Sequence, residues 1–522
     1  MGPWAYTESS FFIIMRSMRE QYLFEPIPCD KFDLLTKEEV VEVVRGYEDL
    51  LKQMQSKYIK LEQKLLQKEQ LSFTLNEQLY HIKNKLFGKS SEKSPQNERR
   101  PQSKKQAKKR VRLPSERYKN LDVVVKEVAA DITPECPECS EQMQSSGLFD
   151  TSEYLTFIPR RYYVVREKRS KYRCKCCQSS LVTTPAIPRI IPGGAYSDEM
   201  VIDVAMGKFL DLIPIERYTE IAAREGLKGL PANSLINTTH KLCDFTEEVY
   251  RLLKKEVFES KVIHADETPH RMLEGDKKSN WYTWGFSSDK ASYFEVRDTR
   301  SGDVASDLLK GSPCRYLVSD VFSGYAKAVR EANEEREEKI EHLYCNAHAR
   351  RKFKEAEKNF EEVASFFIRL YRRIYRLENK ELKTSLSPPE RRKYQNLYMR
   401  VMRRYALNLE QRYSKFSSII KAVNYFLKNF EALVRFTRDP ILPIDNNSQE
   451  RELRSPVVGR KTWYGTHSKR GAKTTAILFS IVQSCKLNKV NPREYLTSLT
   501  RDLHGSKAAY TPYQYALTKR RP

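Results

Sequence analysis

Lys261-Val-Ile-His-Ala-Asp266-Glu267-Thr268 is an apolar run that ends in acids. A short run of this kind, bounded by charge and breakers, reads as a buried strand. Two more strand-like runs follow, Trp281-Tyr-Thr-Trp-Gly-Phe286 and Tyr293-Phe-Glu-Val296. A short helical segment around Asp303–Leu309 leads to Cys314-Arg-Tyr-Leu-Val-Ser-Asp320, a second apolar run ending in an acid. A helix and a last run, Ile340-Glu-His-Leu-Tyr344, complete the order β-β-β-α-β-α-β within residues 259–356.

That order is the arrangement of a ribonuclease-H-like fold, in which the first and fourth strands lie side by side. Acids at the ends of those strands, here Asp266 and Asp320, then share one metal site. Two carboxylates hold a magnesium ion incompletely, and a third usually arrives on a later helix. The candidate is Glu450, in Ile444-Asp-Asn-Asn-Ser-Gln-Glu450-Arg451. Asp445 is expected to be the N-cap of a helix that carries Glu450 in its second turn. Any single Asp or Glu is ordinarily a solvated surface group. These three stand out by their placement after apolar strands and in a cap-led helix. Glu267, one step along the strand, is expected to face away from Asp266 and not to be a ligand. The stretch between Asp320 and Glu450 is longer than the core needs, and residues 357–440 read as a basic helical insertion. It carries Arg369, Arg372, Arg373, Arg376, Arg400 and Arg403 among others, and either grips DNA or braces the fold. The core resumes over 441–485, and 486–522 is expected to be a C-terminal tail.

A chain of 522 residues is too long for one hydrophobic core, so several domains are expected. Lys and Arg number 93 against 68 Asp and Glu, a net charge of +25. Such a protein is drawn to polyanions, of which nucleic acid is the commonest. A merely basic globular protein, or one resting on acidic lipid, is the alternative. No segment approaches the ~20 apolar residues that span a bilayer. Phe11-Phe-Ile-Ile-Met15 is too short, and no small-residue cleavage site follows it. The expected location is therefore the cytoplasm, with no membrane partner. There the ten cysteines read as free thiols or metal ligands.

Residues 1–35, with Pro26 and Pro28, read as an irregular extension, or as an over-extended start with Met15 or Met18 as the real beginning. Over 36–88 the apolar pattern is helical. Leu51, Tyr58, Leu65, Ser72, Leu79 and Leu86 fall at one heptad position, and Met54, Leu61, Lys68, Leu75 and Ile82 at the other. Seams sustained in this way predict a coiled coil and self-association as a dimer or higher oligomer. A single long helix packed on its own chain is the alternative. Residues 89–120 form a strongly basic linker, expected to be disordered until it meets a phosphate backbone.

Over 121–185, Cys136-Pro-Glu-Cys139 and Cys174-Lys-Cys176-Cys177 each place two thiolates on one tight turn. Cys136, Cys139, Cys174 and Cys177 together can close a tetrahedral structural zinc site, with unrelated buried thiols as the alternative. The alternating segments Tyr154-Leu-Thr-Phe-Ile158 and Tyr162-Tyr-Val-Val165 predict strands of a zinc ribbon. Residues 186–258 are helical. A turn at Gly226-Leu-Lys-Gly-Leu-Pro231 between two helices is compatible with a helix-turn-helix, or simply with a bundle.

These blocks resemble, in order, the transposases of bacterial insertion sequences of the insertion sequence sixty-six family, a ribonuclease-H-like group with an Asp-Asp-Glu site. The resemblance runs over nearly the whole chain after residue 36. It covers the leucine-rich coil ending in Leu86-Phe-Gly-Lys-Ser-Ser-Glu-Lys93, both cysteine pairs, His264-Ala-Asp-Glu-Thr-Pro269 and Ser319-Asp-Val-Phe-Ser-Gly-Tyr325. Cys345-Asn-Ala-His-Ala-Arg-Arg-Lys-Phe353, Asp445-Asn-Asn-Ser-Gln-Glu450 and Gly459-Arg-Lys-Thr-Trp-Tyr-Gly465 complete it. Asn346 replaces the family's usual apolar or aromatic residue, and residues 1–35 have no clear counterpart. The resemblance implies that Asp266, Asp320 and Glu450 are the catalytic acids, holding magnesium or manganese. It implies strand cleavage at the element's terminal inverted repeats and joining of the freed 3′-hydroxyls to target DNA. Small accessory proteins of the same element are possible partners. A catalytically inactive, DNA-binding relative and another ribonuclease-H-like nuclease are the competing readings.

Around the acids, Arg350, Arg351, Arg454, Arg460 and Lys461 are candidates for phosphate contact. Trp463 is placed to stack on a base, with core packing the equal alternative. His342, Cys345 and His348 have suggestive spacing, but cross a strand-to-helix junction without a fourth ligand and are not expected to bind zinc.

Overall fold

Along the opening run, Ile263 and Ala265 are wholly buried on one face, and Val262, His264 and Asp266 alternate with them on the other. This alternation makes strand β1, Val262–Arg271. It is followed by β2, Asn280–Ser287, β3, Ser292–Arg297, β4, Tyr316–Ser319, and β5, Glu341–Tyr344. The five-stranded sheet has the order β3-β2-β1-β4-β5. β1 pairs antiparallel with β2, and β2 with β3, whereas β1, β4 and β5 run parallel. Helix α5, Asp303–Leu309, and helix α6, Ser323–Glu334, make the crossovers that parallel strands require.

The computed structural model describes residues 113–126, 135–142, 151–176, 181–273, 280–334, 336–378, 386–410 and 417–519, together with helical positions 41, 49, 52–54, 56–57 and 60. The remainder of the expected coiled coil, the extension 1–35, most of the basic linker and Cys177 lie outside the described residues. The chain divides into two units, residues 1–94 with 414–417 and residues 95–413 with 418–522; the sheet belongs to the second.

Helices α1, Asp198–Phe209, α2, Ile215–Arg224, α3, Ala232–Phe245, and α4, Glu247–Phe258, do not stand apart from the sheet. Phe209, Leu242 and Leu253 share one core cluster with Trp284, Phe286, Phe294 and Tyr325. The exposed side of α3 carries Asn233, Asn237, Lys241 and Asp244, a mixed face without cationic excess. After α7, Asn346–Ala356, come α8, Glu361–Glu378, α9, Pro388–Glu410, α10, Ser418–Lys428, and α11, Phe430–Val434. They build a second core around Phe353, Phe367, Met402 and Phe426, joined to the sheet by Val318 and Leu343. Arg392 pins the end of this helical layer. Its buried guanidinium donates to Pro440 O at 2.9 Å and Leu442 O at 2.8 Å.

α12, Asn447–Trp463, and α13, Lys469–Leu487, return to the sheet. β3 is an edge strand, and its open backbone groups are taken up by serines of α13. Phe294 N donates to Ser480 Oγ and Ser292 N to Ser484 Oγ, each at 2.9 Å, so the edge cannot recruit another strand. The expected tail instead forms α14, Pro492–His504, and α15, Pro512–Lys519, with Tyr495, Leu496, Leu499 and Tyr515 in the main core.

The segments expected as ribbon strands, 154–158 and 162–165, are not strands; Phe157, Ile158 and Val164 are exposed there. Alternation offers a face, but a strand also needs a ladder partner. Here Arg160 instead reaches Asp203 of α1 at 3.0 Å. The ribbon observed pairs Lys171–Arg173 antiparallel with Leu181–Thr183. Among the described residues no helix is long and apolar enough to cross a membrane.

Candidate active site

The parallel register sets the first two acids side by side. His264 pairs with Val318, and Asp266 and Asp320 each stand two residues further on, Asp266 within β1 and Asp320 just past β4. Asp266 Oδ1 accepts from Glu267 N at 3.0 Å, and Asp320 Oδ1 accepts from Phe322 N at 3.1 Å in the turn into α6. Burial pushes the Asp266 carboxyl up to about 8, and the charges of Glu267, Asp320 and Glu450 add to the shift. Glu267 turns to the opposite face, as strand geometry requires. There it accepts from the buried Tyr325 hydroxyl at 2.7 Å and from Arg300 Nε at 2.9 Å.

The third acid arrives on α12, with a correction to its cap. The N-cap is Asn446, not Asp445, and Glu450 lies in the first turn rather than the second. Asp445 Oδ1 accepts from Asn447 N at 3.0 Å, which makes the turn that launches the helix. The side chain of Asn446 is committed elsewhere. Its Nδ2 donates to Ala265 O at 2.8 Å, its Oδ1 meets His264 Nδ1 at 2.9 Å, and its backbone N–H points at Cys345 Sγ at 3.2 Å. One buried residue therefore ties the start of α12 through its side chain to the residue before Asp266, and through its backbone N–H to Cys345 just past β5. Sequence reasoning missed this residue, although it lies inside the quoted motif. Gly285, opposite Asp266 on β2, lets α12 lie close: a Cβ there would stand 2.3 Å from Gln449 Nε2.

Asn346, the departure from the family pattern, does comparable work. Its buried amide donates to Leu433 O at 2.8 Å and Ile444 O at 3.0 Å, holding the insertion's last segment beside α7.

Glu450 is turned towards α7. Its Oε1 lies 3.6 Å from His348 Nδ1, and its Oε2 lies 3.9 Å from Arg351. Among the described residues, Cys345, His348 and Glu450 bring their ligand atoms within 4.8 Å of one another; the three acids are not gathered so closely. His342 stays apart, with its Nε2 at 2.7 Å from Ser319 Oγ. The acids nonetheless suit a divalent cation. Burial, and after it the charges of Glu267, Asp320 and Glu450, raise the proton affinity of the Asp266 carboxyl, and Glu450 Oε1 is shut from solvent with no hydrogen-bond partner.

Of the phosphate candidates, Arg351, Arg454 and Lys461 are exposed and Arg350 is half-buried. Arg460 Nη1 reaches Thr268 Oγ1 on β1 at 3.4 Å, beside the acids. Trp463 is only partly buried. Its ring packs at 6.3 Å from Phe209 and 6.4 Å from Phe479, because α12 runs back onto the core there. The exposed aromatic at that helix end is Tyr464, in a left-handed backbone conformation with φ 63°.

At the cysteine pairs, Ser140 N donates to Cys136 O at 2.9 Å, closing the tight turn. The N–H groups of Glu138 and Cys139 hold the Cys136 thiol below its ordinary range, as a zinc ligand requires. Cys139 and Cys174 are exposed.

Fold and site together define a mixed α+β protein with a paired-cysteine finger and a central sheet that carries one half-buried acid within β1 and another just past its parallel neighbour β4. Residues 193–474 match the Transposase IS66 family, and residues 133–178 match the zinc-finger binding domain of transposase IS66. The chain belongs to the Transposase IS66 family. It is similar to the uncharacterized protein y4hP of Sinorhizobium fredii (strain NBRC 101917 / NGR234), 25% identical over 405 residues, 72% of each chain. It is also similar to the uncharacterized protein y4jD of the same strain, 25% identical over 388 residues, 71% of this chain and 75% of the relative.

Proposed function

We propose that the chain is a metal-dependent transposase with a ribonuclease-H-like core, whose site is Asp266, Asp320 and Glu450. The carrying observation is the parallel register that leaves Asp266 and Asp320 level on adjacent strands, with Glu450 close enough to raise the proton affinity of Asp266. The strand order β3-β2-β1-β4-β5 supports the core assignment.

Two divalent cations, magnesium or manganese, would supply an activated attacking oxygen and charge stabilisation at the leaving oxygen of an in-line displacement. Asp266, Asp320 and Glu450 would hold them, and Asp266 would release its proton to solvent on doing so. In the first step a water oxygen bonds to phosphorus and the bond to the 3′-oxygen breaks, freeing a 3′-hydroxyl at the element's end. In the second, that hydroxyl attacks a target phosphate and displaces a target 3′-oxygen. Arg460, which reaches Thr268 of β1, and Arg351, 3.9 Å from Glu450, would hold phosphate, with Arg350, Arg454 and Lys461 as further contacts. The tie from Arg300 to Glu267 keeps the neighbouring acid out of the site.

The remaining parts fit this role. Cys136, Cys139, Cys174 and Cys177 form a structural zinc site, and the segment 36–88 assembles copies of the chain on DNA in the bacterial cytoplasm, alone or with accessory proteins of the same element. Incubating the protein and magnesium with DNA carrying the element's terminal repeats tests the proposal. Ends with free 3′-hydroxyls are expected. Binding without cleavage would instead indicate an inactive, DNA-binding relative.

A further inference from the structure

The α12 carboxylate has neighbours that an all-oxygen magnesium site does not call for. Cys345 Sγ, His348 Nδ1 and a Glu450 oxygen all lie within 4.8 Å of one another. His348 Nδ1 and Glu450 Oε1 are both shut from solvent, 3.6 Å apart, and neither makes a hydrogen bond. Ligands at about 2.0–2.3 Å from a tetrahedral ion stand about 3.3–3.8 Å from one another, so this separation is that of two atoms sharing one ion. Cys345 Sγ accepts from Asn446 N at 3.2 Å, which offsets only part of the burial that holds the thiol above its ordinary range, so the thiolate would need the ion.

The residues are also anchored independently. Cys345 precedes α7 as its N-cap and His348 follows in the first turn, while Glu450 comes from the first turn of α12. An ion here would fasten together the two helices between which the whole insertion is strung. Sulfur, imidazole nitrogen and carboxylate, with a fourth position left for water, form a donor set for a thiophilic divalent ion; magnesium takes oxygen.

We propose that Cys345, His348 and Glu450 form a second cation site that takes Zn2+, and that zinc held there withdraws Glu450 from Asp266 and Asp320. On binding, the Cys345 thiol loses its proton to solvent and no redox change occurs. The inhibitory consequence rests on the function proposed above; the existence of the site does not.

The test uses the full-length chain with the finger disabled by Cys136→Ser and Cys139→Ser, loaded with Zn2+ or Co2+. This protein is expected to retain a thiolate-bound ion, read as zinc displaced to a chromophoric chelator and as a sulfur-to-cobalt charge-transfer band. Adding Cys345→Ser should remove the band, and His348→Ala should weaken retention, with circular dichroism confirming that each variant is folded. Zinc should also slow magnesium-dependent cleavage by the wild-type chain, but not by Cys345→Ser relative to that variant's own zinc-free rate. A zinc count and cobalt band unchanged by both substitutions would overturn the proposal. A chain that binds zinc through Cys345 yet cleaves no DNA would keep the site and remove only the proposed catalytic function.

Discussion

At the scale of single residues, Asp266 carries an electrostatic cost that a cation at the proposed site would offset. Its carboxyl is held at about 8, first by burial and then by Glu267, Asp320 and Glu450. Between the ordinary carboxylate range near pH 4 and pH 8, the folded chain therefore binds a proton that the unfolded chain has released. Linkage then makes stability fall as pH rises through this window. Without divalent cations, Asp266→Asn should remove that slope and raise stability at pH 8 by on the order of a few kcal/mol, while changing little at pH 4. Urea unfolding in the presence of a chelator measures this directly. Equal pH slopes for both proteins would show that the carboxyl is not in the strained state described. Magnesium should stabilise the wild type more than the variant, because only the wild type has the charge to recover.

At the scale of elements, the site depends on how closely α12 approaches the sheet. Gly285 permits it: an added Cβ would meet Gln449 Nε2 at 2.3 Å and the Phe294 ring at 3.0 Å, both from buried residues. Gly285→Ala is expected to cost about 1–3 kcal/mol by overpacking and to displace the first turn that carries Glu450. Cleavage should then fall by more than the folded fraction does. Wild-type stability and activity in Gly285→Ala would mean that α12 is not seated as described.

Much of this element layer was legible in the sequence. The strands of the sheet are short apolar runs of distinct period, β1 interrupted and β4 followed by an acid, so the order and the pair Asp266 and Asp320 followed, although β1 runs on past Asp266 to Arg271 on its ladder with β2. The cap of α12 slipped by one residue because Asp445 and Asn446 are both good caps. Only the fold shows that the Asn446 side chain is bonded to β1. The ribbon strands failed for another reason: the alternation at 154–165 is real, but nothing in a sequence says whether a ladder partner will be present. The Cys345, His348 and Glu450 cluster was hidden by the helical insertion, which parts its members in the chain and rejoins them in space.

At the scale of the whole molecule, the insertion and the sheet each have a core, and Arg392 and Asn346 hold the connection back to Glu450. Assembly is expected to be separable from this body. If the heptads of 36–88 make a coiled coil, deleting residues 1–88 should leave a folded monomer by sedimentation. An unchanged oligomeric state would place the assembly surface elsewhere. The net charge of +25 should make DNA binding weaken steeply with salt, through phosphate contacts rather than through the acids. The acids themselves are to be judged by chemistry: cleavage of DNA bearing the element's terminal repeats, with magnesium, by wild type and by Asp320→Asn. We expect free 3′-hydroxyl ends from the wild type and cleavage lost from a variant that still binds the DNA; full cleavage by Asp320→Asn would contradict the account.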